Sequence, residues 1–158
     1  MKDERLARCC FAGHSQVYDA NLKDRVLDTV RGLFLDSGVS EFWVGNYGQF
    51  DKIAASAVRS LKQELPTISL SLVIPYLTQE INEYREEYYK DYDSIIMADI
   101  PENTPRNLKI IKANQFMVDN SDYLVCYVNT SWGGAVKTME YGLKKNVRVM
   151  NLGTLPAE

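Results

Sequence analysis

The chain has 158 residues, 46% of them apolar and 25% charged, with a net charge of −3 at pH 7. That length suits one domain, 1–158, able to bury about two-thirds of its unfolded surface, and the composition excludes wholesale disorder. The acidic balance argues against a general binder of nucleic-acid backbones. No apolar run approaches the ~18 residues that a membrane span needs.

Met1–Arg5 carries acids and lacks the apolar stretch of a signal peptide. A cytoplasmic location is the expectation. Cys9, Cys10 and Cys126 are odd in number, show no CxxC spacing and lie in apolar runs. With His14 as the single histidine, neither a disulfide framework nor a metal site is expected. No cofactor is expected, and a nucleophilic triad would have to run through His14 alone.

Arg8 to Ala12 is a compact apolar run closed by Gly13, which predicts a first strand. Leu22, Val26, Val30, Leu33 and Phe34 recur at three- and four-residue spacing and predict a helix ended by Gly38. Phe42 to Val44 predicts a second strand, stopped by Gly45. Ile53, Ala54, Ala57, Val58 and Leu61 predict a helix that stops before Pro66. Leu70 to Ile74 predicts a third strand ending at Pro75. Gln79 to Tyr89 reads as helical and lying over an edge, and Ser94 to Ala98 as a short strand or a loop. Asn107 to Asp119 returns to helical periodicity, Tyr123 to Val128 is the clearest buried strand, and a helix from about Ala135 to Lys144 precedes a last strand from Val147 to Leu152. This alternation predicts an α/β fold: one Rossmann-like three-layer domain, its sheet mostly parallel, with helices on both faces.

In such a sheet, ligands bind outside the carboxyl ends of the strands. Four loops gather there. The first strand runs into Gly13 and His14, the second into Gly45, Asn46, Gly48 and Asp51. The third ends in Pro75 and Tyr76, and the long apolar strand ends before Ser131, Trp132, Gly133 and Gly134. Gly133-Gly134 before a helix is either a phosphate cradle or a tight turn that needs positive φ. Asp51 could accept hydrogen bonds from ribose or cap the helix that follows. Tyr76 and Trp132 sit where a base could stack, though Trp132 could equally be a lid on the core. Glu140 lies seven residues after Gly133, on roughly the same helical face. It is either a reacting carboxylate or a surface acid paired with Lys137 or Lys144. Tyr84, Tyr88, Tyr89 and Tyr92 suggest a packing face or a subunit interface.

Cys10-Phe11-Ala12-Gly13-His14 resembles the CFTGH opening of YpsA-like proteins in the SLOG superfamily, which groups DprA-like and LOG-like Rossmannoid domains. Gly45 to Asp51 is similar to their Gly-x-x-Gly-x-Asp loop with one extra residue. Asn114-Gln115-Phe116-Met117-Val118-Asp119-Asn120-Ser121-Asp122 resembles their MVDxSD segment, and Ser131 to Gly134 with Thr138 and Tyr141 resembles their SGGTxxT turn and helix. The resemblance implies a nucleotide or nucleotide-derived ligand at the loop rim, with Thr138 among its contacts, and a homo-oligomer. Gly133, Gly134 and Glu140 also fall on the PGGxGTxxE spacing of LOG enzymes, which release a base from a nucleoside monophosphate. Val136 and Lys137 replace that motif's second glycine and its threonine. The first expectation is a nucleotide sensor or ligand-binding domain. The alternatives are an N-glycosidase or ribosyl-transfer enzyme with Glu140 as its carboxylate, and a protein-interaction module with a vestigial crevice.

Overall fold

The computed structural model describes residues 6–155. Met1–Arg5, on which the expectation of no signal peptide rests, lie outside the described residues. The elements follow the predicted alternation. They are β1 (Arg8–Gly13), α1 (Leu22–Ser37), β2 (Glu41–Val44), α2 (Gln49–Leu61), β3 (Ser69–Ile74) and α3 (Gln79–Glu83). Then come α4 (Arg85–Asp91), β4 (Ser94–Met97), α5 (Lys109–Asp119), β5 (Tyr123–Tyr127), α6 (Gly134–Lys144) and β6 (Arg148–Asn151). No helix among the described residues is long and apolar enough to cross a membrane.

The sheet is parallel throughout, in the order β4-β3-β2-β1-β5-β6. Successive side chains of a strand point to opposite faces, so β1 feeds two cores at once. Cys9 and Phe11 pack with Leu22, Val26, Val58 and Phe42 beneath α1 and α2. Cys10 and Ala12 pack with Met117, Val118, Leu124 and Met139 beneath α5 and α6. Phe11 stacks on Phe42 at 6.1 Å and meets the edge of Phe50 at 6.4 Å. Burying one such ring contributes about 2–3 kcal/mol. All three cysteines are buried in this layer, and desolvation pushes the Cys10 and Cys126 thiols up to about 12.

Helix α1 ends where Gly38 turns left-handed, at φ 67°, and donates its N–H to the Phe34 carbonyl at 3.2 Å. Helix α2 starts at Gln49, four residues earlier than its apolar period suggests. The carbonyls of Ser15 and His14 accept the Gln49 and Phe50 N–H groups at 2.9 and 3.3 Å, so the first turn is capped from outside the helix. The tyrosine-rich stretch forms two short helices rather than one, broken at Tyr84, and Thr78 Oγ1 caps the first by accepting the Ile81 N–H. Tyr88 and Tyr92 stack on each other and pack over Leu72 and Ile74. Ser94 to Met97 is a strand, bridged to β3 by a 2.7 Å hydrogen bond between the Ser71 and Ser94 hydroxyls.

The chain builds outward from β1 to β4 on one side, then crosses the opposite face through α5 and resumes at β5 on the other side of β1. The carboxyl ends of β1 and β5 are therefore the topological switch point, where loops diverge and leave a crevice.

Candidate functional site

A cleft of about 270 Å³ lies at that switch point. Its walls come from four segments: Ala12 to Ser15 after β1, Tyr47 and Asp51 around the start of α2, Ile110, Ile111 and Asn114 on α5, and Thr130 with Trp132 to Ala135 before and in α6. Of the residues expected at the rim, Gly13, His14, Asp51, Trp132, Gly133 and Gly134 line it together.

Among the helices that begin at this rim, α2 and α6 have N-termini that differ. That of α2 is plugged, because loop carbonyls take its first N–H groups. That of α6 is open. Gly133 sits just before it at φ 102°, a conformation that side chains rarely adopt, and a Cβ on either Gly133 or Gly134 would meet nothing within 4 Å. Among the described residues, the N–H groups of Gly134, Ala135 and Val136 have no hydrogen-bond acceptor. Gly133 makes the positive-φ turn that the sequence offered as one alternative, and Gly133, Gly134 and Ala135 line the cleft beside these unpaired N–H groups.

Asp51 occupies the first turn of α2 rather than the cap position, which is Gly48. Its Oδ2 accepts the Tyr47 N–H at 3.0 Å, and Oδ1 has no hydrogen-bond partner among the described residues. Desolvation raises this carboxyl to about 6, against a smaller lowering by the Tyr47 N–H. Burial and the neighbouring Tyr76 and Asp51 also push the Tyr47 phenol up. His14 Nε2 accepts the Asn129 N–H at 2.9 Å, so the neutral ring carries its proton on Nδ1. Burial lowers its pKa, which keeps the ring neutral near pH 7.

Other expected residues stand elsewhere. Gly45 and Gly48 do not line the cleft. A Cβ on Gly48 would sit 2.5 Å from the Ser15 Cα, so this glycine lets the two rim loops pack against each other. Gly48→Ala is expected to cost roughly 1–2 kcal/mol, read by urea unfolding, through that overpacking; an unchanged midpoint would remove the packing role. Pro75 is buried beyond the cleft, and the face of Tyr76 is taken by the Lys109 ammonium at 4.9 Å. Asn46 faces a separate groove beside Arg59 and Tyr92. Ser131 is exposed and does not line the cleft.

Three expectations need correction. Trp132 is 74% exposed, so it is no lid on the core. Thr138 is buried, and its hydroxyl donates to the Gly134 carbonyl at 3.1 Å, bracing the first turn of α6 instead of lining the cleft. Glu140 is exposed, does not line the cleft, and forms no ion pair with Lys137 or Lys144. Seven residues carry it about 10 Å along the helix axis from the open end. Val136, Met139 and Gly142 form the buried face of α6, and Glu140 lies beside that face rather than toward the crevice.

Tyr47, Ile110, Ile111 and Asn114 are wall residues that the sequence did not single out as site residues. Asn114 is partly buried, and its amide has no partner among the described residues. In the sequence it opens the segment Asn114 to Asp122 that resembles the family's MVDxSD stretch.

A family model described as the YspA SLOG family matches residues 15–151. The UPF0398 protein YpsA of Bacillus subtilis (strain 168) is 29% identical over 116 residues, which cover 67% of this chain and 62% of that protein. DNA processing protein A (DprA) of Streptococcus pneumoniae has the same fold, with a TM-score of 0.68 and 14% identity over 97% of this chain and 51% of its own. DNA processing protein A of Helicobacter pylori, studied for its single-stranded DNA binding mode, gives a TM-score of 0.65 and 13% identity over 96% of this chain and 66% of its own. The chain spans less than two-thirds of the length of each of these relatives.

Proposed function

Because the chain belongs to the YpsA family of SLOG proteins, we propose that its switch-point cleft binds a nucleotide or a nucleotide-derived ligand and retains it unchanged. The observation that carries this reading is the contrast between the two helix starts. One is filled by protein carbonyls, while the other leaves three N–H donors without acceptors at a helix start whose first two residues, Gly134 and Ala135, line a cleft of about 270 Å³.

In this reading the phosphate sits against Gly133 and Gly134, where the N–H groups and the helix dipole both favour an anion. The free oxygen of Asp51 accepts the ribose hydroxyls. Tyr47, Ile110 and Ile111 enclose the base with apolar surface, and the Asn114 amide offers a donor and an acceptor to its edge. Single-stranded DNA binding by the Helicobacter pylori relative agrees with a rim suited to nucleotide units. The net charge of −3 favours a small ligand over a polymer here.

The test is incubation of the protein with nucleoside monophosphates, deoxynucleotides, NAD and ADP-ribose, with both the retained and the released species read by mass spectrometry. One class of compound retained intact is the expected result, and Glu140→Gln is expected to leave retention unchanged. Free base that appears with the wild type and vanishes with Glu140→Gln would replace this reading with N-glycosidase chemistry. Retention of no nucleotide at all would favour the interaction module.

A further inference from the structure

A second hollow, of about 310 Å³, adjoins the cleft on its outer side. His14, Ser15, Thr130 and Trp132 line both, so the two share one wall. The outer hollow is flanked by Tyr18 and Trp132, which are 90% and 74% exposed. Two large aromatic rings left this bare beside one concavity are unusual on a folded surface, and such surface marks binding sites more often than accident. The tip of Tyr18 is held, its hydroxyl donating to Gln16 Oε1 at 3.2 Å, and the backbone that carries Trp132 is held by the Thr130 hydroxyl, which donates to the Trp132 carbonyl at 2.7 Å.

The shared wall is polar. His14 carries its proton on Nδ1, the Ser15 hydroxyl has no side-chain partner among the described residues, and the open start of α6 lines the inner cleft on the other side of that wall. Donors therefore stand between two places that each suit a flat ring. None of the residues lining either hollow is Lys or Arg. A polymer continuing past the site would find no cations along these walls, whereas a short anionic bridge is served by neutral donors alone.

We propose that the outer hollow is a second ring-binding subsite and that the ligand is a small dinucleotide, two nucleosides joined through a phosphate bridge. The bridge crosses the wall at His14 and Ser15, and the second base stacks on Trp132 and Tyr18. This rests on the nucleotide reading of the inner cleft.

Calorimetric titration with AMP and with diadenosine pyrophosphate separates the two readings, and quenching of Trp132 fluorescence reports the stacking. The dinucleotide is expected to bind at least tenfold more tightly than AMP. Tyr18→Ala, at a surface position that does not hold the core, is expected to weaken the dinucleotide about tenfold and AMP less than twofold. Equal affinities, with Tyr18→Ala without effect, would overturn the second subsite and leave the inner one standing. Binding of neither compound would remove the nucleotide reading and this inference with it. A thymidine 15-mer that binds more tightly than the dinucleotide would assign the outer hollow to a polymer path and overturn the proposal.

Discussion

Gly134→Asp is expected to abolish nucleotide binding while leaving the fold as stable as the wild type, or slightly more so. A Cβ at this position meets nothing within 4 Å, and the backbone is ordinary helix rather than left-handed. An acid in a first helical turn adds roughly 0.3–1 kcal/mol through the dipole. The same carboxylate would stand among the N–H donors that the phosphate needs. Two like charges about 4 Å apart at a protein surface repel by roughly 4 kcal/mol, so a loss of at least a hundredfold is expected by titration calorimetry. Gly134→Asn supplies nearly the same volume without the charge and is expected to retain most of the affinity. If both variants lose binding alike, space rather than charge is the cause; if Gly134→Asp binds normally, the phosphate lies elsewhere.

Asp51→Asn is expected to make the protein more stable and less able to bind. The folded carboxyl titrates at about 6, against an ordinary value near 3.8. Between about pH 4 and 6 the folded chain keeps a proton that the unfolded chain has already released. Stability therefore falls as pH rises through that window, by up to ~1.4 kcal/mol per pH unit, and levels off above it. An amide keeps the acceptor for the Tyr47 N–H and has no charge to desolvate. The variant should gain about 2 kcal/mol at pH 7.5, or roughly 4–8 °C in Tm, and lose that falling limb in its pH–stability profile. Its nucleotide affinity should drop at least tenfold, because the ribose loses a charged acceptor. A variant no more stable than wild type at pH 7.5 would mean that Asp51 ionises without penalty in the folded chain. Equal gains at pH 4 and pH 7.5 would assign the effect to packing instead.

The layered fold was legible because buried strands and amphipathic helices write different periods, and Gly13, Gly38 and Gly45 punctuate them. The rim was legible in outline for the same reason, since each strand's carboxyl end is where its apolar run stops. Individual roles were less so. A glycine announces that a side chain is unwelcome without saying from which direction, so Gly48, which lets Ser15 approach, reads like Gly133, which opens onto the crevice. Spacing from Gly133 fixes the angle of Glu140 about the helix axis, but not its distance from the open end or which side faces the sheet. Tyr47, Ile111 and Asn114 come from elements that meet only after the crossover through α5, a juxtaposition that no local window contains.

The plugging of α2 by the loop after β1 also divides the rim into two jaws of unequal firmness. His14 and Ser15 are held by the hydrogen bonds to Gln49 and Phe50, and His14 also bonds to Tyr127 and Asn129, so moving this side would uncap a core helix. The facing jaw, residues 130–133, is tied among the described residues only by the Thr130–Trp132 bond and by the Lys137 N–H on the Gly133 carbonyl. One side acts as an anvil and the other as a latch. For the nucleotide proposed above, the adjustment would fall on the latch, and selectivity for its shape would be set by the anvil.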